Sequence, residues 1–326
     1  MKVAEIENEI VVLKDREDEI LDGRKGAIVK VLGCGLCGSD IVKLKHKLVK
    51  SGTVLGHEIV AKIVEIDSET NFKKDDIIVT SHHIPCGKCE YCKNGNVSMC
   101  RHFKETNIRP GGFSELVFVS DEHLKNVAYL KPESLTEEEA SFYEPLGCCV
   151  RAVKRASLRK NSTVLVIGLG SIGIIMAQAL KAFGMNVIGC DLLASRVQIL
   201  KNLGIEAFTL NEMCESIKAD GVFMTSGSDK AIDTALKFVR DGGKILVFSS
   251  TPQNFGYANN EIYYRELTVL GSYSPAPIDL KDSLELLATR QVRVNGLSTI
   301  YTLDKVQAAI NDTLENKIMK AYIKVS

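Results

Sequence analysis

Short apolar runs recur along the chain, and the way they are spaced changes near its middle. In the first part, runs at 9–13, 27–31, 59–66, 77–80 and 111–119 are short or alternate apolar with polar residues, broken by turn-formers such as Asp22-Gly23 and Asp75-Asp76. This pattern predicts strands, largely antiparallel. From residue 163 onward, apolar runs at 164–167, 187–190, 207–209, 222–225, 245–248 and 267–270 alternate with helical stretches, one ending near Gly184 and one at 194–203 stopped by Gly204. Alternation of this kind predicts a doubly wound sheet of six parallel strands. A helix over 147–156 joins the two regions. The tail predicts helices over 280–289 and 303–315 and a strand over 321–325, too little to build a core alone and therefore expected to return to the first region. The expected division is 1–147, 148–276 and 277–326. No internal repeat or low-complexity segment interrupts it.

The stretch 163–191, TVLVIGLGSIGIIMAQALKAFGMNVIGCD, joins a strand to a helix through Gly168, Gly170 and Gly173 in G-x-G-x-x-G spacing and closes on Asp191. Gly168 permits the tight turn, Gly170 lets backbone approach a pyrophosphate, and Gly173 lets helix pack on strand, with the helix N-terminus favouring phosphate charge. Asp191, at the end of the second strand, is placed to accept hydrogen bonds from an adenosine ribose, which argues for NAD over NADP. Arg196 follows at a helical position and carries less weight. Ser171 and Ile172 inside the motif, and Thr225 and Ser249 at the ends of later strands, complete the expected cofactor-binding set.

Composition narrows the class. Of 326 residues, 45% are hydrophobic and 25% charged, and 41 basic residues balance 41 acidic ones, so no strong pull toward nucleic acid or a membrane surface is expected. No apolar run approaches transmembrane length, and the acidic start MKVAEIENEI lacks the apolar core of a signal peptide. A cytoplasmic location is the expectation. In that setting ten cysteines point to metal ligands before disulfides. Cys86, Cys89, Cys92 and Cys100 stand in C-x2-C-x2-C-x7-C spacing, which suits a closed tetrahedral zinc site that orders a loop too polar to order itself. An iron–sulfur cluster or free thiols are the alternatives.

Gly35-Leu36-Cys37-Gly38-Ser39-Asp40, Gly56-His57-Glu58, the four-cysteine lobe, Gly111-Gly112-Phe113, Glu144-Pro145 and Gly168 to Gly173 together resemble the zinc-dependent medium-chain dehydrogenases, the alcohol, sorbitol and threonine dehydrogenase group. The motifs occur in the family's order and span nearly the whole chain. The resemblance implies a GroES-like β-rich catalytic domain interrupted by a Rossmann domain, with two zinc ions per chain. It implies that Cys37 and His57 hold a catalytic zinc together with Glu58 or Glu144, exchange between the two carboxylates being open. A glutamate at 144, where alcohol dehydrogenases have cysteine, looks like the polyol and threonine branches. Ser39 matches the hydroxyl that hydrogen-bonds the metal-bound alcohol. The histidine that many members use next in the proton relay is Val42 here, which leaves His46 or a water chain. His83 precedes the lobe as in many members, whereas His82 is less usual. The expected function is hydride transfer between a secondary alcohol, a polyol or sugar-alcohol derivative, and NAD. A primary-alcohol or amino-alcohol dehydrogenase is the alternative within the class, and a non-catalytic zinc- and nucleotide-binding protein the alternative outside it. The resemblance also implies a homodimer or homotetramer paired through the edge strand at 267–270.

Overall fold

The computed structural model describes residues 1–249 and 259–326. They form two compact units: one comprises Met1–Pro145, Ala276–Ala288 and Val294–Ser326, the other Leu146–Pro275 and Thr289–Arg293.

The first unit opens with a hairpin of β1 (Lys2–Glu7) and β2 (Ile10–Asp15). The sequence predicts one strand over 9–13. Its partner was missed because the turn carries no glycine: Asn8 and Glu9 both take positive φ, the conformation of a two-residue hairpin turn. β3 (Gly26–Gly35), β4 (Glu58–Asp67), β5 (Ile77–Thr80), β6 (Leu116–Ser120) and β7 (Ala128–Leu130) follow. In β3 only Lys30 is exposed, so the strand is buried on both faces. β4 is buried in its first half and alternates in its second, where Glu65 and Asp67 face solvent. Val29, Val31, Ile59, Ala61, Ile63, Ile78, Val117 and Val119 knit these strands into one core.

The second unit is a sheet of β8 (Thr163–Ile167), β9 (Asn186–Asp191), β10 (Glu206–Thr209), β11 (Ala219–Met224), β12 (Val239–Val247) and β13 (Thr268–Gly271), ordered β10-β9-β8-β11-β12-β13 and parallel throughout. This is the predicted doubly wound sheet. The strand order reverses beside β8, and in such sheets a ligand binds at that switch point. The joining helix is Tyr143–Ala156, starting four residues before the predicted 147. Cys214 lies in a loop after the short helical turn Leu210–Glu212.

The chain then returns to the first unit with β14 (Ser298–Thr302) and β15 (Lys320–Lys324), which extend the seven-stranded sheet in the order β14-β15-β3-β4-β5-β7, with β6 paired to β3. β14 was not predicted. It is a half-exposed edge strand whose polar Ser-Thr-Ile-Tyr-Thr run gives no apolar signal. Among the described residues no helix is long and apolar enough to cross a membrane.

Candidate active site

In the first unit three chain segments converge. β3 ends at Gly35, and Cys37 follows at the N-cap of the helix Gly38–Lys45. Glu58, at the start of β4, pairs with Gly35, and His57 immediately precedes it. Tyr322 of β15 pairs with Gly35 from the other side, bringing Lys320 to the same place. A Cβ on Gly35 would stand 1.9 Å from Glu58 Oε2, so glycine is what allows the carboxylate to lie there. The donor atoms of Cys37, His57 and Glu58 lie within 4.8 Å of one another, and so do those of His57, His82 and Glu144. His57 is common to both sets, so the predicted residues Cys37, His57, Glu58 and Glu144 share one cluster, which His82 joins. Apart from half-buried Cys37 all of them are buried.

Charges around the cluster are arranged in pairs. His57 Nδ1 lies 3.3 Å from Asp40 Oδ1, and Asp40 Oδ2 accepts from the Cys37 N–H at 3.3 Å. Burial alone would push His57 down, but the Asp40 carboxylate and the Cys37 thiol carry it well above its ordinary value; burial raises Asp40, and His57 draws it below. Asp40 Oδ1 accepts no aligned hydrogen bond, so the contact is ionic, and a carboxylate beside Nδ1 leaves Nε2 for a metal. Lys320 Nζ lies 2.5 Å from Glu58 Oε2 and donates to the Leu36 carbonyl at 3.2 Å. Its side chain is 5% exposed. Burial opposes its charge, yet the Glu58 carboxylate beside it holds its pKa above the ordinary value. Neither Glu58 oxygen accepts an aligned hydrogen bond, so the Lys320 contact is ionic. Asp40 was quoted in a motif without a role; its signal was an acidic residue three positions after a ligand cysteine, at the first turn of a helix. Lys320 carried no signal, because only the sheet brings the end of the chain here.

The donor chemistry fits zinc: a thiol, imidazoles and carboxylates in two sets that share His57, with more donors than a catalytic zinc requires. Ser39 is exposed on the first turn of the helix Gly38–Lys45, and His46 is exposed at its C-cap.

The second donor set is separate. The sulfurs of Cys86, Cys89, Cys92 and Cys100 lie within 4.8 Å of one another, with Cys89–Cys92 at 3.6 Å and Cys86–Cys92 at 4.0 Å. Four sulfurs bound at about 2.3 Å to a tetrahedral zinc stand about 3.8 Å apart, so this spacing fits the metal. Among the described residues no cysteine is in a disulfide. Burial opposes ionisation of Cys100, but the backbone N–H groups of Cys86 and Phe103 lower it to about 6, whereas burial and Cys89 raise Cys92 to about 12.

In the second unit Gly168 ends β8 with φ +92°, and a Cβ on Gly173 would stand 1.8 Å from the Gly168 carbonyl oxygen. Both positions therefore need glycine. A Cβ on Gly170 would meet nothing within 4 Å, so the space before the helix Ser171–Ala182, which starts with Ser171 and Ile172, is open to a phosphate. Asp191 is buried at the end of β9; Oδ2 accepts from the Leu169 N–H at 2.6 Å and Oδ1 from the Leu193 N–H at 2.9 Å. Arg196 Nη1 is 3.8 Å from Oδ2. The Thr225 hydroxyl donates to the Gly168 carbonyl at 2.6 Å and that of Ser249 to the Thr225 carbonyl at 2.6 Å. These two hydroxyls brace the loop.

Residues 23–129 match the alcohol dehydrogenase GroES-like domain, and residues 171–289 match the zinc-binding dehydrogenase domain. A sorbitol dehydrogenase of Halalkalibacterium halodurans is 30% identical over 322 residues, covering 92% of this chain and 92% of its own. The chain belongs to the zinc-type medium-chain dehydrogenases. A second member, D-arabitol-phosphate dehydrogenase of Enterococcus avium, is 29% identical over 317 residues, 91% of this chain and 89% of the relative. The family fold recurs in galactitol-1-phosphate dehydrogenase from Escherichia coli, which superposes with a TM-score of 0.87 at 22% identity over 99% of this chain and all of the other. The zinc-type family thus accounts for both the GroES-like unit and the Rossmann unit described above.

Proposed function

We propose that this zinc-type dehydrogenase oxidises a secondary alcohol of a polyol or sugar-alcohol derivative with NAD and reduces the corresponding ketone in reverse. The observation that carries the reading is the buried cluster of Cys37, His57, Glu58 and Glu144 on the GroES-like unit, in a chain whose Rossmann unit has the glycine turn and the Asp191 of a dinucleotide site. The named activities of the sorbitol and arabitol-phosphate relatives support the substrate class.

Cys37 and His57 would hold the catalytic zinc together with Glu58 or Glu144, Glu58 being neutralised by Lys320. When bound there, zinc supplies a Lewis acid that lowers the pKa of an alcohol hydroxyl, and NAD supplies the hydride acceptor. Asp40 fixes the His57 ring, and Ser39 hydrogen-bonds the reacting hydroxyl and passes its proton to water. Gly168, Gly170, Ser171, Ile172 and Gly173 cradle the pyrophosphate, Thr225 and Ser249 support that loop, and Asp191 accepts from the ribose, with Arg196 beside it. Cys86, Cys89, Cys92 and Cys100 hold the structural zinc. We place the enzyme in the cytoplasm, as a homodimer or homotetramer paired through the β13 edge.

NADH formation on a panel of polyols, sugar alcohols, their phosphates, primary alcohols and threonine tests the proposal. Turnover of secondary-alcohol polyols above all others supports it; activity confined to primary or amino alcohols, or none with the zinc sites filled, sinks it. Sedimentation as a monomer at micromolar concentration would remove the assembly part alone.

A further inference from the structure

His82 has no part in the roles assigned above, yet it is buried in the first unit against two other imidazoles. It is 8% exposed, and its ring centroid lies 4.4 Å from that of His57 and 3.8 Å from that of His83. Its carbonyl lies 3.1 Å from His123 Nε2; a carbonyl only accepts, so that nitrogen carries the proton, and His123 Nδ1 takes the Ser120 hydroxyl at 2.7 Å. On the other side, His83 Nδ1 donates to the Thr106 carbonyl at 2.6 Å, and the Ile84 N–H donates to the Thr106 hydroxyl at 2.9 Å. The backbone on both sides of His82 is thus pinned while its own Nδ1 is buried with no hydrogen-bond partner among the described residues. A ring nitrogen of His82 also lies within 4.8 Å of the donor atoms of His57 and Glu144. An imidazole has two ring nitrogens, each able to give a hydrogen bond or take one according to tautomer.

A buried polar atom without a partner calls for an explanation. Closing the metal's coordination is a poor one. Cys37, His57 and a carboxylate already supply the three protein ligands of a catalytic zinc, and a fourth would leave no position for substrate. A hydroxyl is a better partner. An imidazole can give it a hydrogen bond or take one, and a nitrogen within 4.8 Å of two metal donors is close enough to meet a hydroxyl beside an alcohol held among them. That distance suits the adjacent carbon. We infer that His82 recognises a second hydroxyl, on the carbon next to the one oxidised, and so selects vicinal diols over simple secondary alcohols. The inference rests on the proposed function and adds the feature of the substrate that is read.

The test uses the zinc-loaded full chain, NAD, and two alcohols that differ by one hydroxyl, propane-1,2-diol and propan-2-ol. The wild type is expected to favour the diol in kcat/KM by about tenfold or more, as one well-placed hydrogen bond supplies. His82→Phe should lose about tenfold on the diol while propan-2-ol stays within about twofold. His82→Gln, which keeps a donor and an acceptor, should recover part of the preference and carries the test if the phenylalanine disturbs folding. Zinc content and the visible spectrum of the cobalt(II)-substituted enzyme should not change in either variant. Equal losses on both alcohols, or a wild type active on both without preference, overturn the inference and leave the proposed function standing. A lost zinc or an altered cobalt spectrum also overturns it, by making His82 a metal ligand. A wild type inactive on every secondary alcohol overturns both.

Discussion

The Lys320–Glu58 pair gives the sharpest prediction about how the cluster is balanced. Lys320 is 5% exposed and Glu58 1%, with 2.5 Å between Nζ and Oε2. At this separation an effective dielectric of about 20 gives a Coulomb attraction of roughly 6–7 kcal/mol. Desolvation of two buried ions cancels much of that, so the intact pair contributes little net stability, but removing one partner leaves an uncompensated buried charge and costs about 3–5 kcal/mol. Lys320→Met should therefore lower the melting temperature of the protein by about 10 °C, at about 2–4 °C per kcal/mol for a domain of 150–250 residues. Glu58→Gln, which strands the ammonium, should cost a comparable amount. The double variant should recover at least half of the summed loss, because neither charge is then left without its counter-ion. Thermal unfolding of the four proteins, with zinc measured in each, closes the cycle. Additive losses, or a Lys320→Met protein within about 0.5 kcal/mol of wild type at unchanged zinc content, would show that the two charges do not depend on each other and that Glu58 is balanced in some other way.

Further predictions follow from the separate donor sets and the cofactor loop. Wild-type protein should contain two zinc ions per chain by elemental analysis; Cys37→Ala should lose one of them and nearly all activity with the fold intact, whereas Cys92→Ala should lose the other and unfold the lobe at lower temperature. Asp191→Ala should narrow the preference for NAD over NADP and, by stranding the Leu169 and Leu193 amides that now donate to the carboxylate, cost about 1–3 kcal/mol of stability; an unchanged cofactor ratio in steady-state kinetics would contradict the ribose assignment. His46→Ala should leave the oxidation rate and its pH profile unchanged, because the imidazole is exposed at the C-cap of its helix. A tenfold loss near neutral pH rescued by imidazole would put His46 in the proton path, that factor corresponding to about 1.4 kcal/mol of barrier.

Local features of the chain were legible wherever chemistry and periodicity coincide within a short stretch. The six parallel strands could be read because each is a short apolar run between helices, and the turn at Gly168 to Gly173 because backbone conformation and close approach demand glycine there. The sulfur cluster could be read because Cys86, Cys89, Cys92 and Cys100 lie within one loop, where spacing alone keeps them near each other. The hairpin at Asn8-Glu9 and the polar edge strand Ser298–Thr302 were illegible for the converse reason: neither turn chemistry nor apolar alternation marks them.

Sequence alone determined the family motifs, the glycine turn and the kinds of donor the chain carries. Only the tertiary structure decided which of those donors meet. Cys37, His57 and Lys320 are far apart in the chain, and β3 joins them by pairing with β4 on one side and β15 on the other. That pairing sets a lysine against Glu58 and an aspartate against His57, and the fold also brings an imidazole with an unmatched nitrogen near Glu144. Local pattern cannot encode such contacts, because hydrogen-bond register between strands distant in sequence creates them and burial gives them their strength.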